Sequence, residues 1–545
     1  MGTSNRGLGK VRAVIMKQRL HHETRRLSIQ ADLDACKTAL ERNKLGQFAT
    51  PTVLAREVLA YGLSLLPEGQ DVHFLDPAIG TGSFYSALLE TIRDRPLTTA
   101  KGYEVDPHYG EPAKQLWNGQ GLDIELADFT SATPPADGFN LLICNPPYVR
   151  HHHLDGDEKR RLQMASRTAA GVKLSGLAGL YCHFLALSHQ WMSRRGVAGW
   201  LIPSEFMDVN YGKELKRYLL EEVTLLRIHR FDPKNVQFDD ALVSSAVVWF
   251  KKDKPPVGHV VEFSYGGTHT APAISRYIST VELACEAKWT RFPRLEVRSA
   301  VDTPILSDLF DIRRGIATGS NDFFILSRKR IEELQLPMKC FRPILPSPRY
   351  VSTDEIAADE QGNPILPQSL FLLDCRLSEQ EIMERYPSLW RYLESGKEEM
   401  ASRYLCKSRP IWYRQENRSP TPFVCTYMGR GNSSTGRPFR FFLNHSKAIA
   451  ANSYLMLYPK PDMAHCILEQ PEIVRQIWCA LNEISVESLT TEGRVYGGGL
   501  HKLEPKEMAN LPAAHIKKLL TMRSSGRSAI RKRSVPKLER WASVP

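Results

Sequence analysis

Phe74-Leu75-Asp76-Pro77-Ala78-Ile79-Gly80-Thr81-Gly82-Ser83 joins an apolar run to a helical one. Val72–Leu75 reads as a short buried strand and Gly82–Arg93 as the helix that follows. Gly80 and Gly82 permit a tight turn and a close backbone approach to a ligand. The first turn of the helix has N–H groups without intrahelical partners, which suits an anionic group. A second strand, Thr99–Tyr103, runs into Glu104, 22 residues after Gly82. An acid there accepts hydrogen bonds from a ribose in dinucleotide-binding sheets. The loop has no Gly-Lys-Ser/Thr ending, which argues against a nucleoside triphosphate. A third closely spaced glycine is missing, which argues against a dinucleotide. S-adenosylmethionine fits better, because it has no pyrophosphate and needs only a ribose acid, an adenine slot and room for methionine. Asp128-Phe129 suits the slot, the carboxylate accepting from the adenine amine while the ring stacks; a core position is the alternative for Phe129.

Outward from this loop, strands alternate with helices. Ile124–Leu126, Phe139–Cys144, Val197–Ile202, Val223–Phe231 and Val243–Phe250 read as further strands. Helices are expected around 109–118, 178–194 and 210–221. Upstream, 24–42 reads as one helix and Thr52–Leu66 as another, with Thr50 as a cap and Pro51 in the first turn. The pattern predicts an α/β fold, a mostly parallel sheet with helices on both faces. The last two strands suit an antiparallel edge.

The fourth of these strands ends in Cys144 and continues as Asn145-Pro146-Pro147-Tyr148. Successive prolines restrict Asn145 and Pro146 to extended conformations. That stiffness aims the Asn145 amide oxygen and the Pro146 carbonyl at one point before any reaction begins. An aromatic amine is a poor nucleophile because its lone pair is delocalised into the ring. Two acceptors, one per N–H, favour a more pyramidal nitrogen whose lone pair faces a methyl donor. The same oxygens stabilise positive charge developing on nitrogen, the cationic counterpart of an oxyanion hole. Tyr148 is placed to stack on the target base, which must leave the duplex to be reached.

These motifs resemble the gamma-class, TaqI-type family of DNA adenine-N6 methyltransferases. The family order, a Thr-Pro segment, the glycine loop and then Asn-Pro-Pro-Tyr, is matched here from Gln47-Phe48-Ala49-Thr50-Pro51 onward. The resemblance implies a class I S-adenosylmethionine-dependent methyltransferase sheet followed by a mixed α+β DNA-recognition domain. It implies that Thr50, Asp76, Ala78, Gly80, Glu104, Asp128 and Phe129 surround S-adenosylmethionine. By the same resemblance Asn145 and Pro146 orient the adenine amine, Tyr148 covers one face of the base and Phe238 the other. Phe238 lies in Gln237-Phe238-Asp239-Asp240-Ala241-Leu242-Val243-Ser244-Ser245, which matches the family's late aromatic segment. A separate restriction endonuclease with the same target is the functional partner that the family implies. Ile79 departs from the pattern, since many relatives have Cys there.

The rivals are a cytosine-N4 enzyme, a protein-glutamine methyltransferase and a non-catalytic nucleic-acid-binding protein. Asn rather than Ser or Asp at 145 favours adenine, and a large basic C-terminal half favours nucleic acid over peptide. Lys and Arg total 72 against 60 acids, a formal charge of +12. That excess favours a polyanionic partner without identifying one, and double-stranded DNA is the partner that the resemblance implies. Residues 1–44 hold ten Lys/Arg against four acids, and 517–540 hold nine against one. Arg409, Arg414 and Arg430 lie in aromatic- and glycine-rich segments and are the expected DNA contacts. The expected organisation is a basic helical extension (1–44), a catalytic domain (45–255), a linker (256–300), a target-recognition domain (301–515) and a basic tail (516–545). Ten scattered cysteines without a Cys-x-x-Cys pair imply free thiols and no structural metal. No apolar run of about 18 residues or apolar leader occurs, so the expectation is a cytoplasmic protein without a membrane partner, monomeric or weakly dimeric.

Overall fold

The computed structural model describes residues 21–232, 237, 244–293, 304–431, 436–496 and 499–524, with side chains as far as 520. The chain divides into two units, the boundary falling between Arg298 and Ser299.

Nine strands make the sheet of the first unit: β1 Val72–Asp76, β2 Leu97–Glu104, β3 Asp123–Leu126, β4 Phe139–Cys144, β5 Met192–Pro203, β6 Thr224–Arg230, β7 Ser245–Lys251, β8 Val260–Gly267 and β9 Pro272–Ser279. Their order is β3-β2-β1-β4-β5-β7-β6-β8-β9. Neighbours from β3 to β5 run parallel, and β7 lies antiparallel to both β5 and β6. A central parallel strand is covered on both faces and needs apolar residues throughout. β4 meets that demand, with all six residues buried. Alternate side chains enter opposite cores: Leu75, Leu142 and Cys144 pack on one face, Phe74, Leu141 and Ile143 on the other.

Several expectations need correction. The helix expected over 24–42 is two pieces, 21–35 and Ala39–Leu45. Thr38 starts the second through a reciprocal capping box with Glu41, a polar signal that the apolar spacing hid. The expected helix 178–194 is only Leu180–Leu187, and β5 begins at Met192. A helix over Gly156–Ala170, capped by Asp155, was not anticipated. β6 and β7 are interior strands, because the supposed linker 256–300 supplies β8 and β9 beyond them. β9 is mostly exposed, so it lacks the apolar alternation by which strands are recognised.

The second unit is mixed α+β. A five-stranded sheet takes the order Phe310–Arg314, Tyr454–Pro459, Phe423–Thr426, Phe441–Asn444, Glu355–Ile356. A four-stranded sheet joins Ile325–Ser327, Leu370–Leu373, Phe341–Leu345 and Ile449–Ala450. A small third sheet carries Met428–Arg430, Leu500–Lys502 and Arg494–Tyr496. All ten cysteines are free thiols. No helix among the described residues is long and apolar enough to cross a membrane, and none of their His, Cys, Asp and Glu groups is arranged to hold a metal ion.

Candidate active site

β1 pairs with β2 on one side and β4 on the other. Chain order therefore reverses at the β1–β4 seam, where open α/β sheets bind ligands beyond the carboxyl ends of their strands. The glycine loop leaves β1 at this seam and Asn145 leaves β4. Asp76 and Cys144, at the ends of the two strands, are both buried and close enough for each to shift the other's titration.

Asp76 is 1% exposed and accepts the Ala78 N–H at 3.1 Å. Burial, with the Glu104 charge adding to it, pushes its carboxyl up to about 8. Gly80 has φ +54° and Gly82 φ +90°, conformations that favour glycine. Their surroundings differ. A Cβ at Gly82 would lie 2.4 Å from the Trp117 indole nitrogen, whereas a Cβ at Gly80 would meet nothing within 4 Å. Gly80 thus faces open space, while Gly82 is packed tight.

Glu104 is half-buried at the end of β2 and fixed by main-chain donors. Its Oε2 accepts Gly80 N–H at 3.0 Å and its Oε1 accepts Asp106 N–H at 2.9 Å. Burial raises its pKa against the pull of those donors. Each oxygen takes one of these N–H groups, which leaves acceptor capacity for hydroxyls. An open glycine cradle beside a carboxylate with lone pairs to spare fits the ribose end of S-adenosylmethionine.

The Asn145 side chain carries the clearest sign of chemistry. Its amide nitrogen donates to the Phe48 carbonyl at 2.8 Å and to the Thr50 hydroxyl at 3.1 Å. Its amide oxygen is buried and has no hydrogen-bond partner. A buried acceptor without a partner costs about 1–3 kcal/mol, so such groups in native proteins call for an explanation. Here the NH2 end is locked and the oxygen is held ready. Thr50 performs this task instead of capping helix Thr52–Ser64, whose N-cap is Pro51 without a side-chain hydrogen bond. The loop is braced from below, since Tyr148 N–H donates to Gly46 O at 3.3 Å. Gly46 has φ +67°, and a Cβ there would lie 2.2 Å from the Tyr148 nitrogen. Tyr148 is 8% exposed, its hydroxyl donating to Leu201 O at 3.1 Å and its ring 5.7 Å from Phe48. Burial raises the pKa of that hydroxyl. Pro146, the next residue after Asn145, is buried.

The remaining expected residues separate. Asp128, two residues past β3, caps the short helix Phe129–Ser131, accepting Thr130 N–H at 2.9 Å, and pairs with Arg161 at 3.3 Å. Phe129 is 2% exposed and sits among Tyr103, Phe184 and Trp191, the core position left open as its alternative. Phe238 lies outside the described residues. In the second unit, Arg409 donates to Ala317 O at 2.8 Å and Arg414 to Arg376 O at 2.7 Å, so both guanidinium groups brace main chain. Arg430 is exposed on the small third sheet. Phe48, Arg161 and a cluster in which Lys37 Nζ and Gln47 Nε2 both donate to Asp106 Oδ2 were missed by sequence reasoning. Phe48 acts through its carbonyl, which no side-chain pattern reports.

The sheet order, the glycine loop after β1 and the acid closing β2 define a class I S-adenosylmethionine-dependent methyltransferase core. Residues 111–237 match the family described as Eco57I restriction-modification methylase. Residues 294–538 match that described as Type II methyltransferase M.Eco57I, C-terminal domain. The chain is 27% identical over 505 residues to Type II methyltransferase M.AccI of Acinetobacter calcoaceticus, covering 88% of this chain and 87% of that protein. It is 26% identical over 489 residues to Type II methyltransferase M.XamI of Xanthomonas campestris pv. amaranthicola, covering 87% and 86%. The DrdV–DNA complex, determined by cryoEM, superposes with a TM-score of 0.47 at 13% identity, over 80% of this chain and 52% of that one. The chain is an S-adenosylmethionine-dependent DNA methyltransferase related to the Eco57I-type restriction-modification methylases.

Proposed function

We propose that this enzyme methylates the exocyclic N6 of an adenine within a short specific DNA site, as a gamma-class, TaqI-type methyltransferase. The observation that carries the reading is the buried, unpartnered Asn145 Oδ1, with the amide NH2 fixed by Phe48 and Thr50. Asn145 Oδ1 and the Pro146 carbonyl each accept one N–H of the amine and draw its lone pair out of conjugation. The Asn145 oxygen is oriented before the base arrives, so its reorganisation during the reaction is small. Tyr148 and Phe238 hold the two faces of an extrahelical adenine. Asp76, Ala78, Gly80 and Glu104 hold S-adenosylmethionine, with Asp128 at its adenine end and Phe129 packed in the core behind it. Thr50 is better assigned to supporting Asn145 than to touching the cofactor. S-adenosylmethionine supplies an electrophilic methyl group, and the amine receives it by direct displacement, without a covalent enzyme intermediate.

Arg430 is the strongest DNA-contact candidate of the three arginines, because its side chain is exposed. The biological role that fits is protection of host DNA from a separate restriction endonuclease with the same target. The test is transfer of labelled methyl from S-adenosylmethionine to DNA, followed by digestion to nucleosides and mapping of the site. N6-methyladenine at a short sequence is expected. Label in N4-methylcytosine, or on protein glutamine alone, would overturn the assignment in favour of that chemistry.

A further inference from the structure

The segment ahead of the catalytic sheet, expected as a basic appendage, enters the cofactor loop through a buried ion pair. Arg26, on helix 21–35, is 1% exposed and Glu23 is 3% exposed. The two meet in a bidentate pair, Nη2 to Oε1 at 2.7 Å and Nε to Oε2 at 2.8 Å. The guanidinium has donors left over, and it places them on two other segments. Nη1 donates to Ser83 Oγ at 3.0 Å and Thr81 Oγ1 at 3.2 Å, both in the glycine loop. Nη2 reaches Thr52 Oγ1 at 3.4 Å, and the Thr52 hydroxyl hydrogen-bonds to Glu23. Thr52 opens the helix that follows Thr50, whose hydroxyl holds Asn145. The same helix 21–35 grips the loop a second time, Gln30 Oε1 accepting the Thr81 hydroxyl at 2.6 Å.

A buried ion pair is a poor source of stability, since desolvation offsets most of its attraction and apolar replacements are often as stable. Its geometry therefore needs another reason. This planar fork fixes three chain segments at once, which a lysine's single point charge cannot do. We propose that Arg26 is a positioning residue for methyl transfer. Through Thr81 and Ser83 it sets the loop that receives S-adenosylmethionine. Through Thr52 it ties that loop to the support of Asn145. Residues 21–35 are then part of the donor site. The inference rests on the reading that the glycine loop holds the cofactor.

The experiment uses the full chain and S-adenosylmethionine alone, by titration calorimetry without DNA, with thermal melting alongside. Arg26→Met is expected to lower both Tm and cofactor affinity, the latter roughly tenfold or more, as about 1.4 kcal/mol per tenfold requires. Glu23→Leu/Arg26→Met removes the unpaired charge, so Tm returns toward the parent while affinity stays low. Arg26→Lys keeps the pair with Glu23 and should fold like the parent, yet bind S-adenosylmethionine more weakly. Parental affinity in both Arg26→Lys and the double variant overturns the positioning role. Gly80→Ala separates the two levels. If it abolishes binding while both Arg26 replacements bind normally, only this inference falls; if it too binds normally, the cofactor-loop reading beneath it falls.

Discussion

Replacing Asn145 with alanine should separate catalysis from stability. The change removes two hydrogen bonds donated by the amide nitrogen, to Phe48 O and Thr50 Oγ1. At about 1 kcal/mol each they amount to roughly 2 kcal/mol, and the Phe48 carbonyl loses a partner. Against this, the substitution deletes the buried Oδ1 that has no partner, a relief of about 1–3 kcal/mol. These contributions nearly cancel. The native state should therefore lose no more than about 2 kcal/mol, a few degrees in Tm for a domain of this size. Turnover has no such compensation. Loss of one preorganised group that stabilises transition-state charge costs about 10²–10³ in kcat. Single-turnover transfer of tritiated methyl to saturating DNA measures that loss, with calorimetric S-adenosylmethionine affinity expected to stay near the parent's. A variant whose single-turnover rate stays within about threefold of the parent would refute the amine-gripping role. Inactivity accompanied by loss of folding or of cofactor binding would refute it too, by showing Asn145 to be chiefly a structural strut.

Two further outcomes follow from the cofactor loop. Asp76 is held protonated in the native state up to about pH 8, while an unfolded aspartate ionises near the ordinary 3.8. Between those values the folded chain binds one more proton than the unfolded one, so this group makes stability fall as pH rises from about 4 to about 8, and contributes no slope above that. Denaturant titrations of the parent and of Asp76→Asn should differ by that slope; parallel pH profiles would contradict the buried, protonated carboxyl. The two loop glycines should fail differently. Gly82→Ala drives a methyl into Trp117 at φ +90°, and should cost about 2–4 kcal/mol in stability from strain and overpacking together. Gly80→Ala meets no neighbour, so it should cost about 1 kcal/mol in stability from its positive φ, yet lose S-adenosylmethionine binding. Melting and calorimetry on the pair check this, and equal effects on both measurements would count against an open cradle at Gly80.

The amino-acid sequence alone determined the catalytic half's plan. The buried strands Val72–Asp76 and Phe139–Cys144, the glycine turn and the stiff Asn-Pro-Pro-Tyr loop are local patterns, each set by residues a few positions apart. Apolar continuity, positive-φ glycines and paired prolines act within that range, so they are readable without a fold. β9 escaped because an exposed edge strand has no apolar alternation to betray it. Only the tertiary structure decided that the Phe48 carbonyl and Thr50 hydroxyl hold the Asn145 amide, or that Arg26 lies under Thr81 and Ser83. Those contacts span tens of residues and include a main-chain oxygen that every residue possesses. Their selectivity comes from which groups folding buries together. A donor or acceptor removed from water must find its partner wherever the chain has brought one, whatever the distance along the sequence.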